Sequence, residues 1–491
     1  MVDAPQITEL FESHFEWLAV RENGRTHVLR RDEIDIEQFR NGALIGFVAD
    51  EGFIRRLVKN IEPEDSGFSL QLTDRLMSRE ESVRFSPRES AAELAANIEI
   101  ARLRRANEMA EALTKLFPDT VPGRVSLSGG NGRLANILFR HRGHTAAAIL
   151  ADVTSSLTHE ALLAAAIKWL EVLQARKKDP VATVHIASSK RRASDLRRLH
   201  ALLKKGIRSR IALVELEEQG GEFAARFLRP LTASELWRSK PQKLMLPDHI
   251  EPSEKAEQMV EFAPDKIDIV HSRKGETVRF RGLPFARVRR VMGRERAWFG
   301  AGTSRRPLNE RSNGDLHDLV DELMLFRDAQ SPSKRHDVYR LASEAWLESI
   351  LRRNIKALDP NLILSPLYSQ FKTAAEKIDL LALRKDGRLV IIELKTTPDR
   401  ETVFQAADYW RKIELQRRRG ELAKARLFGD LEIADSPTLV YVAAPALSFH
   451  RDFEYFAKML SEDIELWRWE LHENWREEIK VLARINYAGR A

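Results

Sequence analysis

The feature that most narrows what this chain can fold into is an order of elements that it states twice. From Ser90 to about Leu116 an alanine-rich, charge-laced stretch without Gly or Pro predicts one long helix, ended by Phe117-Pro118. Strand-like runs follow at 133–141 and 145–151, then a helix at 158–176, a strand at 181–187, a helix near 192–205 and a strand at 210–217. After the polar, proline-containing stretch Gln330-Ser331-Pro332-Ser333-Lys334-Arg335 the order returns, with a helix at 343–357, a hairpin at 377–395, a helix at 401–419, a strand at 438–443, a helix at 450–461 and a strand at 464–471. Laid over each other, Ile149–Thr154 falls on Ile391–Thr396, Ala165–Trp169 on Ala406–Trp410 and Val184–Ala187 on Val440–Ala443. The separations drift only as far as loops absorb. An internal duplication accounts for this better than its alternative, two unrelated α/β domains with ordinary apolar strands.

The remaining segments are β-rich. Residues 1–90 read as mainly β, with a hairpin where Asn23-Gly24 separates Trp17–Val20 from Thr26–Leu29. Residues 220–335 read as a small β-containing unit with a connecting helix near 314–327. A chain of 491 residues is longer than one hydrophobic core serves. The expectation is therefore a mixed α/β protein of four domains, at 1–90, 91–219, 220–335 and 336–491.

Composition excludes several chemistries. There is no cysteine, which removes disulfides, thiolate metal sites and cysteine nucleophiles and leaves oxygen or imidazole as metal ligands. With 43% hydrophobic and 31% charged residues the chain reads as globular and soluble. No apolar run approaches the roughly 20 residues of a membrane span, and Met1–Pro5 lacks the basic and apolar regions of a secretory signal. A cytoplasmic protein with no membrane partner is expected. Lys plus Arg (80) exceed Asp plus Glu (73), giving +7, so the placement of basic residues says more about a polyanionic partner than their sum.

The hairpin of the last domain carries the chemistry. If Lys385-Asp386-Gly387 forms a three-residue turn with Gly387 left-handed, Asp379 lies opposite Glu393. Side chains alternate along a strand, so Lys395 shares their face while Val390, Ile392 and Leu394 point away. A two-residue turn would reverse this parity. Two carboxylates and an ammonium suit phosphodiester hydrolysis, because carboxylate oxygens bind Mg²⁺ and a lysine can orient water or stabilise developing charge. An acid-x-Lys pair is also a common salt bridge on exposed strands. Here it ends the apolar run Leu389–Ile392, where solvation explains it less naturally. On the helix after Ser343, Glu344 lies about 20° from Leu351 at the edge of the apolar stripe, with Glu348 about 40° further out, so Glu344 is the better inward carboxylate. Gln405 and Tyr409 share a face of the next helix.

A helix glutamate, a hairpin Asp followed by Glu-x-Lys and a helix with Gln-x-x-x-Tyr resembles the PD-(D/E)xK nuclease superfamily. Ile378–Ala382 with Ile391–Lys395 is similar to its NucS-like and RecB-like branches, although Ile378 stands in place of the name-giving proline. The resemblance covers residues 336–471. It implies a restriction-endonuclease-like αβββαβ core, with Glu344, Asp379 and Glu393 as ligands of Mg²⁺ or Mn²⁺, Lys395 as the catalytic lysine and Gln405 as a helper. The expected activity is DNA hydrolysis. RNA as substrate stays open, as does an inactive nucleic-acid-binding or scaffold protein, and because cutting both strands often takes paired sites, a homodimer stays open too.

The first copy lacks this set. Ala151, Val153 and Ala164 match Glu393, Lys395 and Gln405, approximately Asn136 matches Asp379, and Asp152 sits on the opposite strand face. Residues 91–219 thus read as a degenerate nuclease-like domain used for grip, dimerisation or regulation. A basic stretch at 279–296 interleaves Phe280 and Phe285 with arginines, which suits phosphates and unpaired bases and equally a solvated hairpin. Arg279, Arg281, Arg287, Arg289 and Arg290, with Tyr409, are its candidate nucleic-acid contacts. Arg102, Arg104 and Arg105 are expected on an exposed helix face, and His141, His144 and His472 as structural.

Overall fold

The computed structural model describes residues 2–39, 42–49, 52–73, 80–88, 91–129, 132–220, 222–238, 251–272, 275–291, 294–301, 305–364, 372–373 and 376–488. The protein is mixed α/β and divides into two compact units, Met1–Ala201 with Lys205–Leu236, and Leu202–Lys204 with Trp237–Ala491. Among the described residues no helix is long and apolar enough to cross a membrane.

The first unit opens with α1 (Ala4–Glu12), where Asp3 accepts a hydrogen bond from the Gln6 backbone N–H and Pro5 pre-sets the first turn. Seven strands follow, β1 (Glu16–Arg21), β2 (Thr26–Arg30), β3 (Asp35–Phe39), β4 (Gly42–Ala49), β5 (Gly52–Glu64), β6 (Gly67–Thr73) and β7 (Glu80–Pro87), in the order β2-β1-β7-β6-β5-β4-β3. Phe11 from α1 meets Trp17, Phe68 and Phe85 edge-on at 5.3, 5.0 and 4.9 Å, which anchors the helix on the sheet. The hairpin expected at Asn23-Gly24 is present, with Trp17 opposite Leu29 and Val20 opposite Thr26.

Next, α2 (Ala91–Thr114) packs on a sheet of β8 (Val121–Ser128), β9 (Leu134–His141), β10 (His144–Asp152), β11 (Val184–Ser189), β12 (Ile211–Gln219) and β13 (Glu222–Leu228), in the order β13-β12-β11-β10-β9-β8. β10, β11 and β12 run parallel, which requires crossovers. These are α3 (His159–Gln174) and α4 (Lys190–Ala201) with the short α5 (Lys205–Arg208), and a further short helix, α6 (Ala233–Leu236), follows β13. Met109 and Leu113 of α2 share a core with Phe139, Ile149 and Val153. Arg102 and Arg105 do not face solvent as expected. They are 7% and 3% exposed, and only Arg104 is on the surface. The Arg102 Nε donates to Gly24 O (3.3 Å), and Arg25 of the β1–β2 turn donates to Thr154 O (2.6 Å) and Ser155 O (2.9 Å). The first sheet's turn therefore seals the end of β10.

The second unit begins with α7 (Glu254–Glu261) against a five-stranded sheet, β14 (Ile267–Ser272), β15 (Gly275–Phe280), β16 (Leu283–Val291), β17 (Arg294–Phe299) and β18 (Arg306–Pro307), covered by α8 (Asn313–Phe326). After α9 (Asp337–Arg340) and α10 (Ser343–Arg353) comes β19 (Leu362–Leu364), a separate pair β20 (Lys372–Thr373) and β21 (Glu376–Lys377), then β22 (Leu380–Arg384) and β23 (Leu389–Leu394). α11 (Thr402–Arg418), α12 (Glu421–Lys424), β24 (Leu439–Pro445), α13 (Phe453–Ala457), β25 (Glu465–Leu471) and β26 (Val481–Asn486) complete it. The strand order is β19-β22-β23-β24-β25-β26, parallel only at β23–β24 and β24–β25.

Strand for strand, this repeats the order and sense of β8–β13. The register adjusts the overlay by one residue in two places. Ala151 pairs with Ala187 as Glu393 pairs with Val442, so Val184 matches Leu439 instead of Val440. Ala135, not Asn136, stands opposite Ala151.

Two tight joints hold α10. At the β15–β16 turn Arg281 (φ 43°) and Gly282 (φ 79°) are both left-handed, the signature of a type I′ hairpin, and a Cβ on Gly282 would lie 1.8 Å from Ala345 O. Gly282→Ala should therefore cost about 2–3 kcal/mol, from left-handed strain and overpacking against helix backbone. Thermal unfolding checks this, and an unchanged Tm would contradict the packing. The second joint is Arg327, fully buried, whose guanidinium donates to Phe280 O, Arg281 O, Val338 O, Leu341 O and Ala342 O at 2.6–3.2 Å. Its carbon Cζ lies 4.9 Å from the Trp346 ring centroid.

Candidate active site

The turn that sets the site's parity is the three-residue one. Gly387 is left-handed (φ 81°) and donates its N–H to Arg384 O (2.8 Å), while the Asp386 carboxylate accepts from Arg388 N (3.1 Å) and pairs with Arg384. The pairs Leu380–Ile392, Leu381–Ile391, Ala382–Val390 and Leu383–Leu389 follow, and Asp379 directly precedes the first of them. Asp379 Oδ2 accepts from Leu394 N at 2.9 Å, which fixes the carboxylate at the end of β23. Lys395 stays in register with β24, its N–H donating to Ala443 O at 3.1 Å.

Glu393, Lys395 and Asp399 form a chain of charges. Lys395 Nζ lies 3.4 Å from Glu393 Oε1 and 3.0 Å from Asp399 Oδ2. Glu393 is 4% exposed, and its Oε2 is buried without a hydrogen-bond partner. Burial pushes its carboxyl well above the usual glutamate range, and repulsion from Asp379 and then Glu344 adds to this while Lys395 works against it. Burial alone would weaken the lysine's hold on its proton, but Glu393 and Asp399 outweigh it and raise the Lys395 pKa, with Glu344 contributing. An unpartnered buried carboxylate oxygen next to further acids could take a hard divalent cation.

Against the helix-angle expectation, Glu348 and not Glu344 is the more buried of the two acids of α10. Glu344 is half-buried and acts electrostatically on both Glu393 and Lys395. Glu348 is 1% exposed and pairs with Arg279 and Arg352, each at 3.4 Å. Ser343 at the start of α10 shares a hydroxyl hydrogen bond with Thr396, tying the helix to the residue after Lys395. Gln405 and Tyr409 are half-buried one turn apart on α11, which packs on β23 and β24, and Gln405 Oε1 is buried without a partner. Sequence reasoning does not single out Asp399. Its only signal is an acid four residues after the lysine in a proline-containing loop, a pattern too common to act on.

The basic stretch divides into two roles. Arg279 is buried and pairs with Asp268 and Glu348, and half-buried Arg281 pairs with Asp328 at 2.7 Å. Against expectation, neither guanidinium is presented to a ligand, and Phe280 and Phe285 lie in the core. The outward face is built from Arg287 opposite Trp298 and Arg289 opposite Arg296, all three arginines exposed, while Arg290 opposite Glu295 takes the other side of the strand. Burial lowers the Arg305 pKa, and the positive charges of Arg287 and Arg289 lower it further, so this face is a repulsive cluster of cations.

The corresponding face of the first unit holds no such chemistry. Ala135, Ala151, Val153 and Ala164 are all buried, and Arg105 spans the gap, its Nε donating to Val153 O (3.1 Å) and its Nη2 pairing with Glu218 (2.7 Å). Asp152 accepts from Thr154 N (3.1 Å) and Leu157 N (3.0 Å), a loop-capping role, with its carboxyl pushed up by burial. No family model, curated protein or solved structure matches the chain.

Proposed function

We propose that the second unit is a divalent-cation-dependent nuclease of the PD-(D/E)xK type that hydrolyses DNA phosphodiester bonds. The observation that carries this reading is the buried Glu393 carboxylate, with one oxygen unpartnered, within the field of Asp379 and beside Lys395. Asp379 and Glu393, with Glu344 behind them, would hold Mg²⁺ or Mn²⁺, which supplies neutralisation of phosphate charge and an acidified water. Lys395 is kept protonated by Glu393 and Asp399, so its work is to orient water or stabilise charge developing on the phosphate. Gln405 and Tyr409 are placed to position the strand. The first unit, whose matching face lacks every one of these groups, serves as a non-catalytic partner domain.

Incubation with single-stranded, double-stranded and branched DNA, and with RNA in parallel, in Mg²⁺ or Mn²⁺ tests the reading. Metal-dependent cleavage lost in Lys395→Ala is the expected result. Cleavage that survives both Lys395→Ala and Glu393→Ala would sink it, and an inert wild-type chain that still binds DNA would make it a binding protein.

The arginine face of β16 and β17 is the proposed grip on the strand. Replacing Arg287, Arg289 and Arg296 together by Glu should weaken DNA binding and lower the slope of log K against log salt by roughly 0.7–0.9 for each phosphate no longer neutralised. An unchanged slope in a fluorescence titration would remove this face from the interface.

A further inference from the structure

Beside the candidate active site lies an open cavity of about 670 Å³ that the catalytic groups do not use. Ser343 and Thr396, the chain neighbours of Glu344 and Lys395, line its edge, so it begins one residue, about 3.8 Å of backbone, from the catalytic residues. Arg340 and Arg476 supply its positive charge, and Asp337 is the one acid in the lining.

Arg476 is an unusual cation. Its Cζ lies over the rings of Trp475 (4.2 Å), Tyr339 (4.7 Å) and Trp346 (5.1 Å), so three aromatic rings enclose the guanidinium. Its Nε is buried without a hydrogen-bond partner, and among the described residues it has no carboxylate in ion-pair contact. Arg340 is exposed and likewise without an acid among the described residues. Behind the cavity wall sits buried Arg327, whose pKa is lowered to about 9 by burial and then by the charges of Arg476 and Arg281. Three guanidiniums crowd together here, with Asp328 paired to Arg281 alone among them. An anion in the cavity would relieve that repulsion.

Resting on the nuclease reading, we propose that this cavity binds a phosphate group of the cleaved strand next to the scissile one, gripped by Arg340 and Arg476. A planar guanidinium held by aromatic rings presents its N–H groups as a fixed fork, the geometry that matches phosphate oxygens. The phosphate belongs either to a strand end or to the adjacent internal diester.

The test uses the full chain carrying Glu393→Gln, so that binding is read without cleavage. Its probes are internally labelled single-stranded DNA oligonucleotides of one sequence bearing a 5′-phosphate, a 3′-phosphate or hydroxyls at both ends. Arg340→Glu and Arg476→Met should each weaken binding about tenfold and lower the salt slope by roughly 0.7. Loss of affinity confined to one phosphorylated probe identifies a strand end, and equal loss for all three identifies the internal diester. Unchanged affinity and slope in Arg340→Glu, an exposed position where folding is not at risk, would overturn the proposal, as would a parent that binds none of the probes. Cleavage by the otherwise wild-type chain separates the two readings. Lys395-dependent cutting with no change in slope refutes the cavity alone, whereas a reduced slope in a chain that never cuts keeps the cavity and refutes catalysis.

Discussion

Glu393→Gln should abolish DNA cleavage, by at least about a thousandfold (~4 kcal/mol of barrier), and should at the same time stabilise the metal-free protein. The two effects share one cause. The carboxylate is buried beside Asp379 and within the field of Glu344, with one oxygen unpartnered, so Lys395 compensates its charge only in part. A carboxyl whose folded-state pKa is raised favours folding while protonated, and that contribution is lost as pH climbs from the ordinary glutamate value toward the folded one. At neutral pH the wild type therefore bears a cost that the neutral amide does not, about 1 kcal/mol or a few degrees in Tm, as is common when active-site strain is removed. Mg²⁺ or Mn²⁺ should raise the wild-type Tm and leave that of Glu393→Gln nearly unchanged. A variant that is no more stable than wild type without metal, and equally responsive to it, would remove Glu393 from the ligand set.

Arg327→Met should produce the largest loss of stability in the second unit, about 3–5 kcal/mol, which for a unit of this size is roughly a 10 °C fall in Tm. Five backbone carbonyls converge on the guanidinium, and methionine would take this donor from all of them, with Ala342 O keeping the Trp346 N–H at 3.2 Å. Lysine should fail as well, because a point-like ammonium cannot reach carbonyls spread over the β15–β16 turn, α9 and the residues before α10. Since Leu341 and Ala342 lead directly into α10, any surviving folded protein should have Glu344 displaced and cleavage reduced. Thermal denaturation of the three proteins decides this, and a fall of only a degree or two would show that the carbonyls find other partners.

The hairpin is readable from sequence because its determinants are local. Lys385-Asp386-Gly387 fixes the parity, alternation does the rest, and Asp379 comes to the end of β23, where it accepts from Leu394 N. The repeated element order is readable for the same reason, since apolar periodicity and loop residues lie along the chain. The edge strands are not. β8 contains Pro122 and Gly123 and is largely exposed, and β19 is three residues long, so neither carries a strand pattern. α1 carries only a brief signal, Asp3 followed by Pro5, and α13 is shorter than the helix expected at 450–461. The arginines are the hardest. Nothing beside Arg279 in sequence distinguishes it from Arg287, because the acids that claim it lie on other elements, Asp268 on β14 and Glu348 69 residues away on α10. Arg105 likewise meets Glu218 across 113 residues.

The seal over β10 has a bearing on the history of the molecule. The carbonyl of Val153 is taken by Arg105, and those of Thr154 and Ser155 by Arg25. Writing Glu and Lys back into positions 151 and 153 would set charged groups under a turn that already occupies the approach, with two cations where a metal would have to enter. If the two halves descend from one ancestor, the loss in the first has become a ratchet. Reversal would need coordinated change in two sheets and α2, whereas on the proposed nuclease reading substitutions around Glu393 would be answerable to chemistry as well as to folding.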